Sequence, residues 1–171
     1  MVDKRESVTA KICAFVRAWH SNRSREKIYD DYLAYDMLGK DEYDKTGELI
    51  NKIAGLPEGT TGEEKSGFID EYFSPIPLTR IHFTEKRLAE FAEENGKIQY
   101  VICGSGLDTF GFRNDNDNIE VFEIDHPDTQ RYKLEKIKKL TGLDLREFDH
   151  AIVFKIALMV KKYLSSNPTK F

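Results

Sequence analysis

The sequence predicts an α/β fold in which a helical N-terminal region precedes the opening strands of a parallel, nucleoside-binding sheet. Two stretches carry this expectation. Tyr100 to Cys103 is a short apolar run stopped by Gly104-Ser105-Gly106, as in a buried parallel strand that delivers its end to a ligand. Gly104 lets the chain turn tightly, and Gly106 keeps a Cβ away from backbone N–H groups that approach a nucleotide. Roughly twenty residues later, a second apolar run, Ile119 to Phe122, ends in Glu123 and Asp125. An acid at the tip of the second strand faces the first glycine turn and can take both hydroxyls of a ribose.

The spacing also bears on which nucleoside. A dinucleotide fingerprint places a third glycine three positions after the second, to pack helix on strand and seat a pyrophosphate. Here that position is Thr109, a poor fit to NAD. A two-glycine turn followed by Leu107-Asp108-Thr109 suits a ligand without phosphates, and S-adenosylmethionine is the leading candidate. A bare Gly-x-Gly is also found in ordinary strand-to-helix turns; the second strand and its acids argue against that plainer reading.

Composition narrows the class. The 171 residues suffice for one domain with a core, and 40% hydrophobic with 33% charged residues fits a soluble globular protein. A net charge of -4 gives no electrostatic reason to expect nucleic acid or an anionic membrane as partner. The most apolar run, Ala151 to Val160, is interrupted by Lys155 and is too short to span a bilayer. Met1 to Glu6 lacks the apolar segment of a signal peptide, so the expected address is the cytoplasm. Cys13 and Cys103 lie far apart without metal-ligand spacing and read as buried thiols; no metal site is expected.

Taken in order, Thr9 to Trp19 predicts a helix through Ile12, Phe15, Val16 and Trp19, with Lys11 and Arg17 as solvated charges at its edge. Lys27 to Leu38 predicts a second helix stopped by Gly39, and Tyr43 to Ile53 a third. Gly55 to Gly67 is rich in Gly, Pro, Thr and Glu and reads as a mobile loop. Ser74-Pro75-Ile76-Pro77 redirects the chain, and Thr79 to Asn95 predicts a helix closed by Gly96. Arg80 then falls in a first turn, where a cation opposes the helix dipole and needs a tertiary partner, while His82 reads as a packing residue. After the second strand, Pro127 and Asp128 suit a helix start and Gly142 its end, with Lys136, Lys138 and Lys139 complementing the dipole. Asp149 is placed to cap a last helix through Ile152, Val153, Ile156, Val160 and Tyr163.

The run Gln99 to Thr109, Arg113, and then Phe122-Glu123-Ile124-Asp125-His126-Pro127 resemble the leucine carboxyl methyltransferase family, which includes microbial polyketide-type O-methyltransferases. Thr9 to Ala18 is similar to the family's first helix. Asp31-Tyr32-Leu33-Ala34 is similar to its Asp-Pro-Leu-Ala segment, with Tyr32 in place of proline. The resemblance implies a helical cap over residues 1–96, with a mobile loop near 55–67, and a partial Rossmann-like S-adenosylmethionine-binding region over 97–171.

The same resemblance implies roles. Gly104 and Gly106 would pass under the cofactor, and Asp125 would bind the ribose hydroxyls, with Glu123 as neighbour or substitute. Arg80, and more weakly Lys11, would pair with the cofactor's carboxylate. Asp108 would brace the glycine loop. The implied reaction is methyl transfer to a carboxylate or hydroxyl oxygen of a small molecule or peptide; no residue is nominated as general base. Family members usually continue through several more strands, whereas here only two are convincing, so the sheet is expected to be incomplete. Two parallel strands leave faces and edges open. The expectation is therefore that Ala151 to Leu164 helps cover the sheet and that the protein self-associates. The alternative to an enzyme is a truncated, non-catalytic relative acting as a binding or assembly module.

Overall fold

The computed structural model describes residues 7–23 and 27–142. They form two compact units, Val8–Arg87 and a second that begins at Leu88. The first holds α1 (Val8–Arg23), α2 (Ala34–Leu38), α3 (Lys40–Ile53), α4 (Gly62–Phe68), a π-helical turn (Ile69–Phe73) and the start of α5 (Pro75–Asn95). The second holds the end of α5, then β1 (Ile98–Cys103), α6 (Phe110–Arg113), β2 (Ile119–Ile124) and α7 (Pro127–Thr141). Among the described residues this is an α/β arrangement with N-terminal helices and an open, two-stranded parallel sheet. None of its described helices is long and apolar enough to cross a membrane.

In the Val8–Arg87 unit, α1, α2 and α3 pack on one another. Ala14, Phe15, Val16 and Ala18 of α1 are buried with Leu33, Met37, Leu38 and Ile50. The Phe15 ring lies 5.7 Å from that of Trp19 and 4.6 Å from that of Tyr43. A Cβ on Gly47 would approach Phe15 to 3.2 Å, so the missing side chain makes room for the aromatic ring.

Two expectations fail in this unit for one reason. Arg17 is not a solvated edge charge: it is 6% exposed, and its Nε donates to Asp31 Oδ2 at 2.8 Å, Asp31 being 1% exposed. Nor do residues 27–33 form a helix. The backbone there donates to side chains instead: Ile28 N to His20 Nε2, Asp31 N to Ser21 Oγ and Leu33 N to Asp31 Oδ1. Such bonds compete with the helical ladder. They set Asp31 against Arg17.

Two more differences concern helix starts. Residues 62–67, expected in a loop, belong to α4, which opens with a capping box. Thr61 Oγ1 accepts from Glu64 N, and Glu64 Oε2 accepts from Thr61 N. Bonds from the Thr61 backbone and hydroxyl hold the Glu64 carboxyl below its ordinary pKa. Further on, α5 starts at Pro75 and not at Thr79. The first N–H groups of a helix have no intrahelical acceptor, so Pro75 and Pro77 lose nothing there. Arg80 and His82 are thereby exposed residues in the body of α5, and the dipole argument for Arg80 lapses.

In the second unit, β1 and β2 pair in parallel from Ile98↔Ile119 to Cys103↔Ile124. One face of the pair is covered. Ile119 and Val121 are buried with Ala92 and Phe110, and Leu88, Ile98, Tyr100 and Ile102 pack against them. Tyr100 meets Phe110 edge-on, at 5.4 Å between ring centres. On the other face Val101 and Ile124 are 48% and 56% exposed among the described residues. Cys103 lies on that face and is exposed, and Cys13 is half-buried, so neither is the buried thiol expected. Strand alternation turns Cys103 outward. The helix expected over Ala151 to Leu164, with its Asp149 cap, lies outside the described residues.

The Arg17–Asp31 pair yields the first prediction. Asp31→Ala leaves a buried guanidinium without its carboxylate, which typically costs about 3–5 kcal/mol. Urea denaturation of the variant should show a loss in that range, and a loss below about 1 kcal/mol would mean the pair behaves as a surface contact.

Candidate functional site

The carboxyl ends of β1 and β2 stop level with each other, and the turns that leave them meet. Gly104 N donates to Ile124 O at 2.7 Å and Ser105 N to the same oxygen at 3.3 Å. The chain then reverses through Gly104 and Gly106, at φ +73° and +52°, values in the left-handed region that glycine adopts without a Cβ clash. A Cβ placed on Gly104 would find nothing within 4 Å. Among the described residues, Gly104 therefore presents bare backbone to open space, while Ser105 and Gly106 are buried.

Asp125 closes this turn from the other strand. Its Oδ2 accepts from Gly106 N at 2.6 Å and its Oδ1 from His126 N at 2.6 Å. A carboxylate has about four acceptor positions, so each oxygen keeps room for another donor. The side chain is only half-buried. The geometry thus joins Gly104, Gly106 and Asp125 in one place, and the Gly106 N–H is engaged by the acid itself.

Glu123 has a different setting. As the strand alternates, it shares the packed face with Ile119 and Val121. Its Oε2 is ion-paired with Lys133 Nζ of α7, both side chains being 4% exposed. Lys133 is not among the residues that the sequence singles out, although a signal exists: Thr129, Lys133, Ile137 and Thr141 recur every four residues and form the buried face of α7. A lysine on such a face implies an acidic partner.

Asp108 braces the chain beyond the glycines: its N–H donates to Ser105 O at 2.8 Å, and its Oδ1 accepts from Phe110 N at 2.7 Å. Thr109, at the third-glycine position, is fully buried, and its Oγ1 accepts from Arg113 Nε at 2.9 Å. The helix it precedes, α6, has only four residues. That is a poor seat for a pyrophosphate, which needs the aligned N–H groups of a full helix start. After Asp125, His126 caps α7 by accepting from Asp128 N, and Pro127 occupies the start of the helix.

Lys11 and Arg80 belong to the Val8–Arg87 unit. Lys11 Nζ is paired with Glu42 Oε2 at 2.7 Å, between α1 and α3. Arg80 is exposed on α5, its backbone oxygen accepting from Thr84 Oγ1. Among the described residues, no cluster of three His, Cys, Asp or Glu side chains could hold a metal ion.

Residues 10–156 match the family model described as leucine carboxyl methyltransferase. Over 142 residues the chain is 35% identical to a Bacillus subtilis (strain 168) protein named "Putative S-adenosyl-L-methionine-dependent methyltransferase YktD". The alignment covers 77% of this chain and 46% of that protein, so the chain spans about half the length of the curated relative it matches. On the extent of the family match and the identity to this relative, the chain belongs to the leucine carboxyl methyltransferase family.

Proposed function

We propose that this chain binds S-adenosylmethionine at the paired carboxyl ends of β1 and β2, and serves methyl transfer to a carboxylate or hydroxyl oxygen of a small molecule or peptide. One observation carries the reading: the Asp125 carboxylate is held against the Gly106 N–H, with acceptor capacity left on both oxygens. The residues present fit the cofactor. Asp125 suits two vicinal hydroxyls, the bare turn at Gly104 admits a ligand close to backbone, and nothing in the turn is arranged for phosphates.

Bound there, S-adenosylmethionine supplies an electrophilic methyl group on a sulfonium. The chain's part is to hold and align. Asp125 anchors the ribose, and the glycine turn passes beneath the ligand. Displacement by an oxygen nucleophile depends mainly on proximity and alignment, above all when the acceptor is already a carboxylate. No histidine here is cast as a base. His20 is buried and its Nε2 accepts from Ile28 N, whereas His82 is exposed.

A second reading is a non-catalytic binding module. It is favoured by the exposed face that the two-stranded sheet shows among the described residues. Calorimetric titration with S-adenosylmethionine and S-adenosylhomocysteine, with NAD as control, should give micromolar binding of the first two and none of the third. A folded chain that binds neither would overturn the cofactor assignment, and product formation with an acceptor separates enzyme from binder. Asp125→Ala should weaken binding by about 1.5–3 kcal/mol, the worth of a hydrogen bond to a charged group; unchanged affinity in a folded variant removes Asp125 from the site.

A further inference from the structure

Glu123, two residues before the carboxylate assigned to the ribose, forms a buried ion pair with Lys133, which follows that carboxylate in α7. Both side chains are 4% exposed, and Glu123 Oε1 has no partner among the described residues, so Lys133 supplies the one charge that holds this acid. Lys133 Nζ also lies 5.5 Å from the centre of the Phe112 ring. Gln130 Nε2 adds a bond to the Glu123 backbone oxygen at 3.5 Å. Only Asp125 and His126 separate the end of β2 from the start of α7. The segment that carries Asp125 is therefore clamped on both sides by one pair.

A buried pair is a costly fastener, because apolar residues of similar volume often hold a core as well. Its particular property is direction. Along a strand, neighbouring side chains alternate between faces, so a Glu123 that turns to water rotates the strand end with it. That rotation draws Asp125 away from Gly106 N. We propose that Lys133 is a positioning residue for cofactor binding: by holding Glu123 on the packed face, it sets the orientation in which Asp125 meets both the glycine turn and the ribose.

This inference rests on the assignment of Asp125 to the ribose, and the test keeps the two apart. S-adenosylhomocysteine affinity is measured for the full chain, for Lys133→Met, for Asp125→Ala and for the double variant, while NMR follows the Gly106 amide without cofactor. Lys133→Met should weaken binding by roughly tenfold or more and make the Gly106 amide exchange faster. In the Asp125→Ala background it should cause no further loss, the coupling expected of groups that act as one. Equal losses in both backgrounds, or an unaltered Gly106 amide, overturn the proposal. Should Lys133→Met fail to fold, Glu123→Leu with Lys133→Met restores an apolar contact. It should recover stability yet bind more weakly than the parent, and parental affinity there would reduce the pair to packing. If the parent itself binds no S-adenosylhomocysteine, the cofactor reading fails, and the Gly106 amide still decides the role of Lys133.

Discussion

The hydrogen bond from Gly106 N to Asp125 Oδ2 is the contact on which the ligand-facing edge depends. It ties the turn after β1 to the turn after β2, and its acceptor is charged, so it is worth about 1.5–3 kcal/mol against solvent. Without it, a turn through two left-handed glycines would have many conformations available. With it, one carboxylate both shapes the turn and faces the space the turn encloses. In the proposed function, structure and recognition share this one side chain.

Among the described residues, each unit also holds a buried ion pair with a similar task. Arg17–Asp31 fixes the irregular segment before α2 against α1, and Lys133–Glu123 fixes α7 against β2. Both join segments whose order is not set by a regular ladder across the joint. Exposed pairs such as Lys40–Asp44 and Lys27–Asp30 stay within one short stretch of chain and are screened by water. The buried pairs specify geometry; the exposed ones mostly keep the surface solvated.

Most of the second unit was legible in the sequence because its punctuation is local. Gly104, Gly106, Pro127 and Gly142 mark turns, a helix start and a helix end by their own backbone preferences. The N-terminal unit was less legible. The burial of Arg17 depends on Asp31, fourteen residues on, and the loss of helix over 27–33 depends on His20 and Ser21 as acceptors. Neither is visible in a window of helical periodicity. The start of α5 was obscured because Pro75 and Pro77 act as breakers inside a helix but are harmless in its first turn. Within the site, the acids and glycines stood out, whereas Lys133 did not, since a single lysine in a lysine-rich helix reads as solvated until its face is known.

The level register of the two strands explains why so little sheet can present a recognisable site. Cys103 pairs with Ile124 at the last rung, so Gly104 and Asp125 leave the sheet side by side. A shift of two residues in register would keep every side chain on its proper face and preserve the packed core. It would also move Asp125 by about 6.6 Å along the strand, beyond hydrogen-bond reach of Gly106. The hydrophobic pattern alone therefore permits several registers, and the pairing of the Gly104 and Ser105 N–H groups with Ile124 O, together with the Asp125 bond, selects the one in which the turns meet. The interactions that choose the register are the same ones that build the candidate site.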